Sequence, residues 1–555
     1  MNAALTPDAG SVPADLERQV RAWVDDDPDP AARAELVGLL AAGDVAELRE
    51  RFAGRLAFGT AGLRGPLGAG PARMNRAVVS AAAAGFAAYL QSHGAGGDAV
   101  VAVGYDARHG SSDFAADTAA ILAGAGLHPA VLPGPLPTPV LAFAVRHLGA
   151  VGGVMVTASH NPATDNGYKV YLGTGSQIVP PADEQIAAAI EAVGPLTALR
   201  RGQPGPALGA SVVDAYVARA VSLVDPAGPR ALRLATTALH GVGGALLTRV
   251  LTSAGFAAPR EVAAQATPDP DFPTVAFPNP EEPGAMDAVL AEAGAAGADV
   301  ALATDPDADR CAVAARDGAG RLRVLTGNEV GILLAAHLLG RGARGALATS
   351  IVSATQMSAL GAAYGLPVVR TLTGFKWIAR TPDLVYGYEE ALGYCVDPSA
   401  VADKDGITAG LLVAELAAAA RARGRTLIDE LDDLDAQLGV HRTRGTSLRV
   451  GSPAAALRML DAVAERPPVS LGGLAVTQAV DLGRGWDGLP PTPGLRLALG
   501  PDAWVVVRPS GTEAKLKVYA EVRRPPDADV VAGREAADAV LDAVTESLAA
   551  TLDAG

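Results

Sequence analysis

Helical and strand patterns of apolar residues alternate along most of the chain. From residue 76, an apolar helical pattern is followed by the strand pattern DAVVAVGYD, which ends at Asp106, and the alternation continues to VGGVMVTAS. Similar alternations begin near Arg230 and near Leu325. Strands that alternate with helices are typical of an open α/β sheet. Three such stretches of similar size therefore predict three similar α/β domains.

The two ends of the chain differ from this pattern. The N-terminal segment shows short amphipathic helices, and the glycine-rich stretch FGTAGLRGPLGAG after it is predicted to be neither helix nor strand. The C-terminal segment is rich in strand patterns and ends in an amphipathic helix, which indicates an α+β domain. We predict four domains, over 1–207, which includes the N-terminal helices, 208–320, 321–440 and 441–555.

Composition narrows the class of protein. The chain has 555 residues, 49% hydrophobic and 19% charged, which indicates a folded soluble protein. A net charge of −15 disfavours a nucleic-acid binder, which needs a basic face. Only two cysteines are present, no apolar run is long enough to span a membrane, and the N-terminus lacks a signal-peptide pattern. We therefore expect a cytoplasmic protein without nucleic-acid or membrane partners.

The strongest chemical pattern is ATDPDADR, at the end of a predicted buried strand. Asp305, Asp307 and Asp309 alternate there and are followed by Arg310. Three carboxylates this close repel one another unless a cation lies among them, and oxygen ligands favour Mg²⁺ or Ca²⁺. An EF-hand is excluded because its sixth and twelfth positions would be Arg310 and Arg316. A solvated acidic turn is the alternative interpretation.

A second pattern is TASHNPATDNGYKVY. Ser159 and His160 lie in a polar segment after a predicted strand, and a phosphorylated Ser159 would complete the shell of the metal. The turn signal DNG predicts that the chain doubles back, which would bring Lys169 near Ser159. A lysine whose pKa is depressed by nearby cations can act as a general acid or base. A polar loop and a surface lysine remain the alternatives.

Four further segments offer groups that bind anions or sugars. In RPSGTEAKLKVY, Arg508, Ser510, Gly511 and Thr512 can donate to a phosphate, and Lys515 and Lys517 share a strand face nearby. In GYEEALGY, the alternatives are a helix start or a pair of acids, Glu389 and Glu390, that accepts from sugar hydroxyls. Anion contacts before helices are predicted at Lys404 and at Thr373, Gly374 and Lys376.

Taken together, these segments resemble the α-D-phosphohexomutase superfamily. The motifs FGTAGLRG, TASHNP, DPDADR, GYEEALGY and RPSGTEAKLKVY occur in the order of that family. PDPDFPTVAFPNPEE and LTGNEVGILL look most like its phosphoglucomutase and phosphopentomutase branch, whose bacterial members are often labelled phosphomannomutase. Ala514 stands where this branch usually has proline, and the Glu-Glu-Ala-Leu-Gly form of the sugar loop differs from that of the members acting on both mannose and glucose.

The resemblance implies an α/β fold of four domains around a central cleft: three similar α/β mixed-sheet domains and a C-terminal α+β domain. It implies Ser159 as phosphoryl carrier, His160 and Lys169 in proton transfer, and Arg64 and Arg310 near the transferring phosphate. Mg²⁺ would be held by Asp305, Asp307 and Asp309 with Ser159. Glu389 would bind the sugar with Lys404 close by, and Arg508, Ser510, Gly511 and Thr512 would hold the other phosphate.

The function that this resemblance implies is that of a phosphosugar mutase. It would move a phosphoryl group between C1 and C6 of a hexose, with glucose 1-phosphate as the expected substrate and a hexose 1,6-bisphosphate as intermediate and activator. Phosphomannomutase and phosphopentomutase are the alternatives within the family. A phosphatase with an aspartate nucleophile and an inactive sugar-phosphate-binding protein are the alternatives outside it. We expect small sugar phosphates as partners and a monomer or homodimer.

Overall fold

A computed structural model describes residues 12–59, 61–510, 515–527 and 529–553 of the chain. Within these ranges, no helix is both long enough and apolar enough to cross a membrane. The chain divides into two compact units. The first unit comprises the chain up to Ala312 together with Asp397–Ala414, and the second comprises Val313–Val396 together with the chain from Glu415 onward.

The elements of the first unit begin with three short helices and continue as an α/β succession. In chain order they are α1 (Ala14–Asp26), α2 (Pro30–Ala42), α3 (Val45–Arg51), β1 (Leu63–Pro66), α4 (Arg76–Ser92), β2 (Val100–Tyr105), α5 (Ser111–Gly124), β3 (His128–Val131), α6 (Thr138–His147), β4 (Gly152–Val156), β5 (Asp165–Leu172), α7 (Ala182–Glu191), α8 (Ser211–Val221), β6 (Leu234–Thr237), α9 (Gly244–Ser253), β7 (Arg260–Glu261), α10 (Asp287–Ala296) and β8 (Val300–Thr304). β9 (Cys311–Arg316) begins in this unit and ends in the second.

The first sheet has the strand order β1-β5-β4-β2-β3. β4, β2 and β3 run parallel, whereas β5 is antiparallel to both β4 and β1. The central strands are runs of apolar residues because helices cover both faces of a parallel sheet. Val101, Val103, Val154 and Val156 are completely buried in this core. The carboxyl ends of β2 and β4 lie side by side and support the loops that follow them.

The second sheet repeats this topology. Its order is β10-β9-β8-β6-β7, in which β6 runs parallel to β7 and to β8. β10 (Leu322–Val324) pairs antiparallel with β9. In both sheets, the first of the three parallel strands along the chain, β2 or β6, lies between the other two. The prediction of similar α/β domains is confirmed by this shared order.

Two local predictions were wrong in the first sheet. The stretch FGTAGLRG contains the strand β1, which pairs with β5 in a register that places Arg64 opposite Gly167. Gly62 permits this approach, since it has φ +75° and a Cβ there would meet the Tyr168 carbonyl oxygen at 1.9 Å. The DNG signal does not form the turn either, because these residues belong to β5 and the chain reverses earlier, between β4 and β5.

The second unit contains the third α/β succession and the C-terminal domain. In chain order its further elements are α11 (Gly327–Gly340), β11 (Ala346–Ser350), α12 (Gln356–Tyr364), β12 (Val368–Thr371), α13 (Phe375–Ile378), β13 (Leu384–Glu389), β14 (Gly393–Cys395), α14 (Gly406–Ala422), whose first half belongs to the first unit, α15 (Leu427–Leu438), β15 (Val440–Arg449), α16 (Pro453–Glu465), β16 (Ser470–Leu471), β17 (Leu474–Ala475), β18 (Gln478–Asp481), β19 (Leu495–Ala498), β20 (Ala503–Pro509), β21 (Lys515–Arg524) and α17 (Val530–Asp553).

The third sheet has the order β12-β11-β13-β14, with β14 antiparallel to β13 and the other pairs parallel. Its parallel strands therefore follow the order of the first two sheets. The C-terminal sheet is fully antiparallel, with the order β15-β21-β20-β19-β18. Alternation along β20 buries Val505 and Val507 under the helices, while Trp504 and Val506 pack on the opposite face. This confirms the predicted α+β domain.

The segment Asp397–Ala414 is tied to the first unit by buried side chains. Tyr171 donates a hydrogen bond to Asp403 at 2.7 Å, and the hydroxyl of Tyr216 lies 2.9 Å from both carboxylate oxygens of Asp405. Asp405 also accepts from the backbone amides of the first turn of α14, including Thr408 at 3.0 Å. These bonds compensate the burial of two carboxyl groups and fix the start of α14.

The carboxyl group of Asp405 makes the stability of this region depend on pH. Burial raises the pKa of Asp405 to about 6, against hydrogen bonds that favour the charged form. A carboxyl with a raised pKa binds its proton more tightly in the folded state. Its stabilising contribution is therefore present below the unfolded pKa of about 4 and is lost as the pH rises through about 6.

We expect the free energy of unfolding of the wild type to fall relative to that of Asp405→Asn by about 2 kcal/mol between about pH 4 and pH 7. Asparagine keeps an acceptor for Tyr216 and carries no titratable proton. Urea denaturation of both proteins at several pH values measures the difference. The expectation would be wrong if the free energies of unfolding of the two proteins changed with pH by the same amount.

Candidate active site

The loop between β4 and β5 presents Ser159 in an unusual backbone conformation. Ser159 has φ +53°, a left-handed value that residues other than glycine seldom adopt. Its side chain is only 3% exposed, and its Oγ donates to Asp305 Oδ2 at 2.9 Å. Oγ also lies 3.1 Å from Nδ1 of His160. The structure therefore brings together the serine, the histidine and the first aspartate that the sequence singled out.

The aspartate loop follows β8 at the carboxyl edge of the second sheet. Asp305, Asp307 and Asp309 are buried, and one carboxylate oxygen from each lies within 4.8 Å of the others. Among the described residues, Oδ1 of Asp307 and Oδ1 of Asp309 have no hydrogen-bond partner. Buried carboxylate oxygens without a donor are costly unless a cation binds them. These three residues therefore suit a hard divalent cation.

Two lysines oppose the charge of the aspartates. Nζ of Lys169 lies 2.7 Å from Asp307 Oδ2 and 3.0 Å from Asp309 Oδ2. Nζ of Lys404 lies 3.1 Å from the same oxygen of Asp309. The backbone amide of Arg310 donates to Asp305 Oδ1 at 3.1 Å. Lys169 of β5 therefore contacts two of the aspartates, and its approach to Ser159 stays a prediction.

The pKa values of these groups follow from burial and from one another. Burial, followed by the neighbouring charges of Asp307 and Asp309, raises the pKa of Asp305 well above its usual value. Burial alone would lower the pKa of Lys169, but the carboxylates of Asp307 and Asp309 outweigh it and raise the pKa. The expectation of a lysine with a depressed pKa was therefore wrong, because the nearest partners of Lys169 are carboxylates rather than cations.

Two arginines place positive charge close to His160, the residue after Ser159. Arg64 donates from Nη1 to the side chain of Asn161 at 3.1 Å, and burial lowers its pKa. Nη1 of Arg310 lies 3.0 Å from Glu281. Burial, and then the charges of Arg310 and Arg64, lower the pKa of His160 well below its usual value. This potential can attract a phosphoryl group to the serine.

Sequence reasoning missed two side chains of this site. Arg108 donates to four backbone carbonyls of the serine loop, and Thr138 donates from Oγ1 to Asp307 Oδ2 at 2.6 Å. Only the positions of these two residues along the chain could have indicated a role in the site. Arg108 comes two residues after Asp106, where a buried strand ends, and Thr138 begins α6 between two prolines. The edge of the sheet at which strands end is where α/β proteins bind ligands.

The second unit brings together the predicted sugar-binding segments around Glu389 and Gly374, whereas Lys404 lies in the first unit beside Asp309. Glu389 is the last residue of β13, and its Oε1 accepts from the backbone amide of Gly374 at 2.6 Å. Thr373 precedes this amide, and Lys376 lies in the short helix α13 after it. Glu390 is held instead by Ser350 and Ser353, each at 2.9 Å. The alternative of a helix start in GYEEALGY was wrong, since these residues turn from β13 into β14.

The predicted phosphate-binding segment lies at the end of β20. Arg508 is on this strand and pairs in register with Lys517 of β21, so both side chains are on one face of the sheet. The backbone amide of Ser510 donates to the carbonyl of Lys515 at 2.8 Å. Gly511 and Thr512 lie outside the described residues. The described part is a strand end with two cations on the same face.

Comparisons with known proteins agree with this arrangement. Family models described as phosphoglucomutase/phosphomannomutase alpha/beta/alpha domains I, II and III match residues 55–195, 214–318 and 326–435, and the model of the C-terminal domain matches 452–537. The chain belongs to the phosphoglucomutase/phosphomannomutase family. The fold class and the resemblance to phosphohexomutases are thereby confirmed, and the four boundaries inferred from sequence stay predictions.

Individual relatives carry different sugar names. "Probable phosphomannomutase" of Haemophilus influenzae is 42% identical over 82% of this chain and 95% of its own length. "Probable phosphoribomutase" of Schizosaccharomyces pombe is 34% identical over 91% of this chain and 93% of its own. A crystal structure of a phosphomannomutase candidate from Thermus thermophilus has 27% identity and a TM-score of 0.70, covering 90% of this chain and all of that one.

Membership of the phosphoglucomutase/phosphomannomutase family identifies the chemistry of the chain. The protein is a phosphosugar mutase, an isomerase that transfers a phosphoryl group within a sugar phosphate. This favours the mutase over the phosphatase and the inactive binding protein considered above. The aspartate triad can hold a metal ion.

The aspartate triad predicts stabilisation by a divalent cation. A ligand that binds only the folded protein at 100 times its Kd stabilises it by about 2.7 kcal/mol. We expect Mg²⁺ to raise the unfolding midpoint of the wild type and to have little effect on Asp309→Asn. Thermal unfolding over a range of Mg²⁺ concentrations measures both.

The control is Asp317→Asn, which changes a carboxylate in the turn between β9 and β10 that pairs with Arg321 at 2.9 Å. This variant should respond to Mg²⁺ as the wild type does. An equal response from Asp309→Asn would show that the triad does not bind the metal.

Proposed function

We propose that the protein interconverts glucose 1-phosphate and glucose 6-phosphate through a phosphoserine at Ser159. The observation that carries this proposal is the position of Ser159 Oγ, 2.9 Å from Asp305 within a buried group of acids that can hold a metal. A phosphoryl group at this atom would lie beside the aspartates that would hold the cation. Arg64 donates to Asn161 of the same loop. Phosphoryl transfer depends mainly on such positioning and on electrostatic stabilisation.

The proposed reaction uses the phosphoserine twice. In the first step, O6 of glucose 1-phosphate attacks the phosphorus, the bond from phosphorus to O6 forms and the bond to Ser159 Oγ breaks. His160, whose lowered pKa keeps its imidazole neutral, takes the proton of the O6 hydroxyl. Lys169, whose raised pKa keeps its amine charged, assists electrostatically. The resulting glucose 1,6-bisphosphate turns over, and Ser159 Oγ attacks the phosphorus at C1. The bond from phosphorus to O1 breaks, and His160 returns the proton to O1. Glucose 6-phosphate leaves, and the serine is phosphorylated again.

Asp305, Asp307 and Asp309, together with the phosphate on Ser159, are the proposed Mg²⁺ ligands. Bound Mg²⁺ supplies charge neutralisation for the transferring phosphoryl group. Thr138 donates to Oδ2 of Asp307, while Oδ1 of Asp307 has no hydrogen-bond partner among the described residues. The bond from Thr138 would orient the carboxylate so that Oδ1 could bind the metal. Lys404 contributes a further positive charge beside Asp309.

Further residues are proposed to contact the sugar phosphate. Arg508, Ser510, Gly511 and Thr512, with Lys517 close by, are proposed to bind the phosphate that is not being transferred. A site that binds either phosphate of the bisphosphate must rely on donors rather than on sugar shape. Thr373, Gly374, Lys376, Glu389 and Glu390 are the proposed contacts to the sugar.

The choice of glucose rests on the sugar loop. Its Glu-Glu-Ala-Leu-Gly form differs from that of mutases that act on both mannose and glucose, and Glu389 is oriented by the amide of Gly374. The relatives named for mannose and for ribose make these sugars the competing substrates. A site built to hydrogen-bond one sugar hydroxyl discriminates strongly against an analogue that lacks it.

Ser159→Ala tests the phosphoryl carrier. Removal of the nucleophile should lower kcat by about 10³-fold or more, because the variant has no hydroxyl at the position that accepts the phosphoryl group. Mutase assays with the variant and phosphopeptide mapping of the wild type measure this. Ser176→Ala, which changes another buried serine that bonds to Thr174 at 2.9 Å, serves as the control. Full activity of Ser159→Ala would exclude Ser159 as carrier.

The sugar preference is tested by kcat/KM for glucose, mannose and ribose 1-phosphates side by side. We expect glucose 1-phosphate to be preferred by about tenfold or more, and Glu389→Gln to reduce this preference because it removes a charged acceptor. If kcat/KM for mannose or ribose 1-phosphate equalled or exceeded that for glucose 1-phosphate, the proposed preference for glucose would be wrong. That result would leave the phosphoserine mechanism intact.

A further inference from the structure

We propose that Arg108 is the positioning residue of the phosphoryl carrier: its guanidinium, backed by the ring of Phe272, holds the Ser159 loop in the geometry that aims Oγ at Asp305. The proposal rests on the proposed role of Ser159 and adds to it the group that fixes the serine. Arg108 is 4% exposed and lies in the loop after β2, beside the serine loop that follows β4. It therefore acts from the first sheet upon a neighbouring loop.

All four terminal N–H groups of Arg108 are used on the serine loop. Nη2 donates to the carbonyl oxygens of Ser159 and Asn161, both at 2.6 Å. Nη1 donates to those of Pro162 and Asp165, at 2.7 and 3.2 Å. A single planar cation thus gathers four carbonyls of one loop. A lysine has three donors on one atom and cannot span them.

The bond to the Ser159 carbonyl bears directly on the reactive atom. Ser159 has φ +53°, and such a conformation of a residue with a Cβ persists only where the surroundings enforce it. Rotation of this residue to the ordinary right-handed region would redirect its carbonyl and its Oγ together. A donor fixed on the carbonyl opposes that rotation and so maintains the 2.9 Å contact from Oγ to Asp305.

Arg108 is itself held on its two remaining sides. Its Nε lies 3.4 Å from Asp106 Oδ2, and its backbone amide donates to Asp106 Oδ1 at 3.0 Å. Ser111 donates to the same Oδ1 at 2.6 Å. The ring of Phe272 covers the guanidinium, with 4.8 Å from Cζ to the ring centroid. Such stacking adds attraction and excludes water from the four charge-assisted hydrogen bonds.

Phe272 belongs to the segment PDPDFPTVAFPNPEE, which has further contacts near the site. Asp271 lies 2.7 Å from His109, the residue next to Arg108, and Glu281 lies 3.0 Å from Arg310. One surface segment thus contacts both the arginine that holds the serine loop and the arginine beside the aspartates. This supports a role for the segment in the geometry of the site.

The chain offers a matched control for Arg108. Arg230 also donates to backbone carbonyls, those of Ala254 at 2.7 Å and Asp225 at 2.6 Å among them, and its guanidinium stacks on Phe256 at 5.0 Å. These partners all lie outside the site described above. Arg230→Ala and Phe256→Leu therefore remove the same kinds of interaction as Arg108→Ala and Phe272→Leu, in the same unit and away from the serine.

The first experiment compares kcat and KM of Arg108→Ala, Arg108→Lys and Phe272→Leu with those of the two control variants. Misplacement of a reacting atom by about 1 Å can cost about 10²-fold in rate. We expect kcat to fall about 10- to 100-fold in Arg108→Ala, with little rescue by lysine, and severalfold in Phe272→Leu, while KM for glucose 1-phosphate changes less than about threefold. The control variants should keep the wild-type kcat even where their unfolding midpoints fall.

The second experiment measures hydrogen–deuterium exchange of the wild-type and variant proteins without substrate. Exchange should rise in peptides covering 157–165 for Arg108→Ala and for Phe272→Leu, but not for the controls. This readout does not require activity. It thus separates the two proposals: faster exchange in this loop with no mutase activity in the wild type would support the positioning role and refute the proposed function.

The positioning role is refuted if kcat and loop exchange of Arg108→Ala and Phe272→Leu match those of Arg230→Ala and Phe256→Leu. It is also refuted if Arg108→Lys restores full kcat, since one ammonium group cannot reproduce four separate contacts. Should Arg108→Ala fail to fold, Phe272→Leu decides the question, because it leaves every hydrogen bond of Arg108 in place and removes only the covering ring.

Discussion

The mutual repulsion of Asp305, Asp307 and Asp309 is the constraint on which the site depends. Three buried carboxylates within 4.8 Å of one another cannot all be charged without cations beside them. Lys169 and Lys404 supply two such charges, and Lys169 arrives from a different sheet of the first unit. The attraction between these groups therefore links the carboxyl edges of the first two sheets and places Ser159 beside the aspartates.

The serine loop shows how a reactive side chain is held in an unfavourable backbone conformation. Its left-handed serine is not stabilised by its own sequence, which contains no glycine at that position. Arg108 stabilises it from a neighbouring loop, and Asp106 and Phe272 stabilise Arg108. These residues are buried, so the loss of Arg108 leaves the carbonyl groups of the serine loop without their donor.

Sequence reasoning succeeded where the chemistry is local. The alternate spacing of the three aspartates at a strand end predicted a group of acids that can hold a metal, and the apolar periodicity predicted the α/β succession. It failed where the outcome depends on pairing over long distances. The glycine-rich stretch became a strand because β5 was available to pair with it, and the direction of the Lys169 pKa shift depended on partners that are 138 and 140 residues away.

The sequence by itself determined the chemistry of the family, the charged residues of its motifs and the repeated α/β architecture. Each of these depends on residues that are neighbours along the chain. Only the tertiary structure decided which side chains surround Ser159. Arg108 and Thr138 reach their partners across 51 and 169 residues, and nothing in their local sequence states the partner. The reason is physical: a hydrogen bond is fixed by distance in space, and the folding of the first two sheets sets that distance.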